Sequence, residues 1–95
     1  MHFIIHCLDR PDALPVRLSH YGAHNAYLAQ ASIKMLVSGP LLGDDGQTVI
    51  GSLLLVEADT KDQVLWFHRN DPLYQAGIWE RVEIYPFSKR VDNRT

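Results

Sequence analysis

The sequence predicts a single α+β domain with the element order β-α-β-β-α-β. Three observations predict it. Four stretches with strand-like apolar patterning, residues 2–8, 34–40, 47–57 and 78–87, are each bounded by turn residues. Two stretches with helical spacing, 14–33 and 61–69, fall after the first and the third of these. Only Leu41 to Gly46 separates the second strand from the third, and Asp45-Gly46 is the tightest hairpin signal in the chain. That order is the ferredoxin-like, split βαβ arrangement, one antiparallel sheet with two helices on one face.

In strand 1, Phe3, Ile5 and Cys7 share one face, and Ile4 and Leu8 share the other. Both faces are mostly apolar, so the strand is central. Asp9-Arg10-Pro11-Asp12 reads as a turn and helix start, with Asp12 the expected N-cap. In the main helix, Leu14, Leu18, Tyr21, Leu28 and Ala31 form one apolar stripe, and His24 falls inside it. Gly22 weakens that helix by roughly 1 kcal/mol relative to Ala. Strand 2 ends at Ser38-Gly39-Pro40. Strand 3 carries Ile50, Leu54 and Val56 on one face, Leu53 and Leu55 on the other.

Asp59 or Thr60 caps the second helix. The stretch Asn70 to Gly77 then joins helix to sheet. Pro72 suits the first position of a helical turn, Asp71 caps that turn, and Gly77 ends it with a left-handed residue. Strand 4 contains Ile78, Trp79, Val82, Ile84 and Tyr85 and closes at Pro86-Phe87. Residues 88–95 are a polar tail, expected to be flexible.

The whole chain bounds the possibilities. Its 95 residues make one domain, with 46% hydrophobic and 21% charged residues. A net charge of −2 without a basic stripe argues against nucleic acid as a partner. Cys7 is the single cysteine, so no intrachain disulfide or cysteine-rich metal site forms. In its apolar strand it reads as a buried thiol. No secretory signal pattern follows Met1, and no apolar run approaches the ~18 residues of a membrane span. The expectation is a soluble cytoplasmic protein with no membrane association. The helices cover one sheet face only, yet strands 1 and 3 are apolar on both. A second copy is the simplest cover for the other face, which leads to a homodimer.

Several pieces, taken in order, carry a resemblance. Arg17, His24 and Leu28 are followed by Ser38-Gly39-Pro40-Leu41, then by the glycine-led strand Gly51 to Glu57. Asn70-Asp71-Pro72, Ala76-Gly77 and Pro86-Phe87 complete the set. Together they resemble the YciI-like (YCII-related) proteins over nearly the full chain. The resemblance implies a dimeric α+β barrel of ferredoxin-like protomers and a pocket centred on a histidine and an aspartate, here His24 and Asp71. One branch resembles a dehydrochlorinase of a chlorinated hydroxyhydroquinone. That implies proton-transfer or lyase chemistry on small cyclic substrates.

The chemistry of such a pair stands without the family. Histidine exchanges protons near neutral pH, and a carboxylate fixes its tautomer. Ser38 lacks a nucleophile-elbow context, which favours proton transfer over acyl transfer. Arg17, seven residues before His24, is placed to hold an anionic substrate group. Ser38, Gly39 and Tyr74 complete the expected substrate contacts. Each assignment has a plainer counterpart: Asp71 as a cap, His24 as a core histidine, Arg17 as a solvated helix charge, Tyr74 and Trp79 as core. His20 and His24 have the spacing of two metal ligands on a helix, but no HExxH glutamate is present. His2 and His6 share one strand face. No metal and no cofactor are expected. The ligand is an unidentified small molecule. An enzyme using His24 and Asp71, a non-catalytic binding or accessory dimer with the same pocket, and a structural dimer module are the three function classes that follow.

Overall fold

A computed structural model describes residues 1–94. The chain runs β1 (His2–Asp9), α1 (Leu14–Ala29), β2 (Lys34–Leu42), β3 (Val49–Glu57), α2 (Lys61–Arg69), α3 (Pro72–Gln75) and β4 (Trp79–Phe87). The strands form one antiparallel sheet in the order β2-β3-β1-β4.

Register decides which side chains meet the helices. Ile5 stands opposite Leu54 on β3 and Ile84 on β4. Phe3, Ile5 and Cys7 therefore join Leu54 and Val56 in the core, against Val64 and Phe67 of α2 and Leu73 of α3. The next residue along, Ile4, stands opposite Leu55 and Tyr85 on the helix-free face. Gly51 is required where β3 passes β1, because a Cβ there would run into the Cys7 carbonyl oxygen.

α2 begins as expected, with Thr60 rather than Asp59 as the cap. The Thr60 side chain accepts from the Gln63 N–H, and the Gln63 side chain reaches back to the Thr60 N–H in a capping box. Asp71 caps α3 through the Leu73 N–H, and Gly77 follows at φ 69°. Five expectations are corrected. α1 ends at Ala29 rather than 33, where the Gln30 and Ala31 N–H groups turn back to Tyr27 and Leu28 carbonyls. The chain leaves the helix there, and Ile33 is buried in the core. Asp12 is not the cap: it takes φ 62°, and the cap position falls on Ala13, with no side-chain hydrogen bond. Strand 2 runs on to Leu42. Strand 3 starts at Val49, because the Asp45 carboxylate accepts the Gln47 and Thr48 N–H groups and keeps both residues in the turn.

The fifth correction concerns the inward face of α1. Leu18 is 59% exposed, whereas Arg17 is 3% and His24 5% exposed. Leu14 and Tyr21 are also exposed. The buried stripe runs through Arg17 and His24, with Tyr27 and Leu28 packed against the core.

Residues 88–94 have no regular secondary structure. They pass over part of the helix-free face. Val91 and Arg94 there bound a shallow cavity of about 350 Å³ with Ile4, Leu53, Leu55 and Phe87. The last residue of the tail, Thr95, lies outside the described residues.

Candidate functional site

His24 and Asp71, 47 positions apart, meet where α1 crosses the α3 corner. His24 Nδ1 donates to Asp71 Oδ1 at 2.8 Å. The same oxygen accepts the Leu73 N–H at 2.9 Å. Both side chains are buried. A carboxylate only accepts, so the proton of a neutral His24 sits on Nδ1 and the Nε2 lone pair is left free. The carboxylate holds the ring in one orientation.

His24 forms one wall of a cavity of about 140 Å³. Arg17, Ser38, Gly39 and Ser52 line it too, with Tyr21 and Asn25 on the α1 side. Tyr21 lies stacked beside His24, with ring centres 6.4 Å apart. Asp71 stands behind the histidine and does not line the cavity.

Arg17 is no solvated helix charge. Its Nε and Nη2 donate to the two Asp9 carboxylate oxygens, both at 2.8 Å, and Nη2 also donates to Ser52 Oγ at 2.9 Å. A buried guanidinium is tolerable only with such partners. Sequence reasoning missed Asp9 and Ser52. Ser52 did leave a signal: it is the one hydroxyl on the inward register of β3, between Ile50 and Leu54.

Ser38 reaches the cavity through an irregularity. The β2–β3 register shifts between Met35 and Val37. Val37 then stands opposite Leu55 on the helix-free face, and Ser38 opposite Leu54 on the helix side. Without the extra residue Ser38 would face away.

Tyr74 is not brought to this cavity. It lines a separate groove with Leu65, His68, Val82 and Ile84, and its ring meets His68 edge-on at 5.1 Å. His68 was not singled out by sequence. It is stacked on the buried Trp79 ring at 4.9 Å, and burial pushes its pKa down to about 4. Its Nε2 and the Trp79 Nε1 are buried without a partner.

His20 is half-buried and turns its Nδ1 to the Val16 carbonyl at 2.9 Å, away from His24. His2 and His6 lie near Glu57 and Glu83 on the helix-free face. Among the described residues no group of three or more His, Cys, Asp or Glu stands together as a metal site. Cys7 is buried, and burial, then the Asp71 charge, pushes its thiol up to about 12. None of the described helices is long and apolar enough to cross a membrane.

Comparison with known proteins follows the same outline. The family model for the YCII-related domain matches residues 1–88. The chain is 29% identical to Protein YciI of Escherichia coli O6:H1 over 96 aligned positions, covering 94% of this chain and 98% of that protein. Protein YciI of Shigella flexneri matches to the same extent. Among solved structures, it is similar to 5-chloro-2-hydroxyhydroquinone dehydrochlorinase (TftG) from Burkholderia phenoliruptrix AC1100, in complex with 2,5-dihydroxybenzoquinone. That match has 38% identity and a TM-score of 0.84, over 93% of this chain and 94% of the other. A NIPSNAP domain protein from Burkholderia xenovorans, at 15% identity and a TM-score of 0.51, covers 98% of this chain and all of its own, and shares the fold alone.

Proposed function

The chain belongs to the YCII-related domain family, and from that premise we propose an enzyme of proton-transfer or lyase type acting on a small cyclic or carbonyl-containing molecule. His24 is the acid–base group and Asp71 the carboxylate that orients it. One observation carries the reading: the 2.8 Å bond from Nδ1 to Asp71 leaves Nε2 as the reactive nitrogen beside an adjoining cavity. Arg17, Ser38 and Gly39 are the substrate contacts. Tyr74, in its separate groove, is left out of this reading.

In the mechanism, Nε2 of the neutral imidazole takes a proton from an acidic O–H or C–H of the substrate. The imidazolium so formed is stabilised by Asp71. In a dehydrochlorination the electron pair left on the substrate moves into the ring system, and chloride departs with the electrons of its C–Cl bond. Proton and chloride leave together as the elements of HCl, and no oxidant is consumed. The similarity to TftG supports this class of reaction.

The functional unit in this reading is a cytoplasmic homodimer of ferredoxin-like protomers, closed into a barrel sheet to sheet. Ile4, Leu53, Leu55 and Tyr85 on the helix-free face support it, as does the strand order β2-β3-β1-β4. Such an interface buries at least about 1,000 Å² in total. Sedimentation should give a particle near twice 10.8 kDa, and a clean monomer at micromolar concentration refutes it.

The enzymatic reading is tested by incubation with 5-chloro-2-hydroxyhydroquinone and measurement of released chloride, for the wild type, His24→Gln and Asp71→Asn. Release by the wild type that falls at least about a hundredfold in His24→Gln is expected. If 2,5-dihydroxybenzoquinone binds but no candidate compound is consumed, the enzyme reading fails. The chain is then a small-molecule binding module.

A further inference from the structure

The groove between α2 and β4 contains a histidine that the chemistry at His24 does not use. His68 is only 4% exposed and forms one wall of it. Burial pushes its pKa down to about 4, so at neutral pH the ring carries a single proton. Its Nε2 is shut away without a partner, in the stack on Trp79. Its Nδ1 has no hydrogen-bond partner among the described residues either, yet it is not among the atoms shut away. The groove is the opening that His68 lines. A proton on Nε2 would be buried without an acceptor, whereas a proton on Nδ1 finds one in whatever fills the groove. Nδ1 is therefore the donor.

The other polar groups of the groove can donate as well. Arg69 follows His68 in α2, and the Tyr74 ring meets His68 edge-on at 5.1 Å, so the three gather at one end. Lys61 lines the groove eight residues before Arg69, about 12 Å along the helix axis. Neither Lys61 nor Arg69 has an ion-pair partner among the described residues. No carboxylate lines the groove. Between the two cations its surface is apolar, with Leu65 from α2 and Val82 and Ile84 from β4. The volume is about 310 Å³, against about 140 Å³ beside His24. A cavity of ~150 Å³ holds one benzene, so the groove has room for two fused rings.

We propose that this groove is a second ligand site, for an organic anion with a flat apolar body the size of two fused rings. The anionic head accepts from His68 Nδ1 and faces Arg69 and Tyr74, and the body covers Leu65, Val82 and Ile84. Such a ligand supplies the acceptor that His68 lacks and the counter-charge that Arg69 lacks. It also takes apolar surface out of water, which is all that a neutral molecule of the same shape would do. The groove shares no lining residue with the cavity beside His24, so the site does not rest on the acid–base reading.

2-Naphthoate tests this, because its two fused rings are too large for the cavity beside His24. The chain has two tryptophans, and they report separately by ¹⁵N NMR of the indole N–H groups. Trp79 lies against His68, while Trp66 is 60% exposed and lines a different cavity with Ile33 and Gln63. Millimolar 2-naphthoate should move the Trp79 signal to saturation and leave that of Trp66 in place. Arg69→Glu reverses the charge beside the anionic head and should weaken binding about tenfold or more. Arg81→Glu makes the same charge change opposite Leu8, on the helix-free face of β4, and should stay within about twofold of the wild type. 2-Naphthalenemethanol, which has the same body and no charge, should bind the wild type at least about tenfold more weakly than the carboxylate. An unmoved Trp79 signal, or an equal response from Trp66, overturns the proposal. So does equal weakening by Arg69→Glu and Arg81→Glu, or an alcohol that binds as tightly as the carboxylate.

Discussion

Replacing Asp71 separates two roles that share one oxygen atom. Oδ1 accepts both the Leu73 N–H that starts α3 and the His24 Nδ1–H. Asp71→Ala removes both bonds. The cap is worth about 1 kcal/mol. A buried hydrogen bond to a charged acceptor is worth roughly 1.5–3 kcal/mol, and its loss leaves His24 Nδ1 without a partner. Relief from burying a carboxylate offsets part of this, so a net loss of about 3 kcal/mol is expected. Domains of this length are stable by only ~5–14 kcal/mol. Asp71→Asn behaves differently, because an amide oxygen in the same place accepts both bonds. It should cost only about 1 kcal/mol in stability while removing the charge that stabilises the imidazolium. Urea unfolding reads the difference. At an m-value of roughly 1.3 kcal/mol per molar, a gap of about 2 kcal/mol separates the two midpoints by roughly 1.5 M. Coincident midpoints, or a cost below about 1 kcal/mol for Asp71→Ala, would refute the shared-oxygen account.

His68 should make the fold acid-sensitive. Its folded pKa of about 4 lies below the ordinary 6.5, so between those values the unfolded chain binds more protons. Its contribution is fully present above pH 6.5, falls as pH drops, and is gone below about 4, a change on the order of 3 kcal/mol. His68→Phe, which preserves the stack on Trp79, should flatten the pH dependence of unfolding over that range, and an unchanged slope refutes the assignment. Gly51→Ala should destabilise by ~3 kcal/mol or prevent folding, because the new methyl meets the Cys7 carbonyl; a variant melting with the wild type would show that the strands part there at little cost. Cys7, with its thiol near 12, should resist iodoacetamide at pH 8 in the native protein and react fully in guanidinium. Native labelling at the rate of a free thiol contradicts its burial.

What the sequence revealed was mainly local. The alternation of Phe3, Ile5 and Cys7 named the core face of β1, and the Asp59-Thr60 pair, or Asp71 before Pro72, announced their helix starts by chemistry confined to a few residues. The inward face of α1 was not legible. Hydropathy assigns Leu18 to the core and Arg17 to water, yet the reverse holds. What makes Arg17 burial tolerable, Asp9 eight residues away and Ser52 thirty-five away, is a pairing that no helical period records. The position of Ser38 depended on one extra residue in β2, and a single-residue slip exchanges the two faces of a strand. Tyr74 was misplaced for a simpler reason. Nearness to Asp71 in sequence says nothing about which side of a four-residue helix a ring takes.

The double duty of Asp71 Oδ1 also bears on descent. An aspartate needed for a corner is kept by selection for folding, whether or not the chemistry beside it is still in use. A lineage that stopped turning over its substrate would go on displaying this residue for as long as it displayed the fold. Loss of activity in such a lineage would be recorded elsewhere first, at His24 or Ser38, whose replacement leaves the start of α3 intact. When diverged copies of this domain are sorted into working enzymes and retired ones, the informative letter is the histidine, and the aspartate is close to silent.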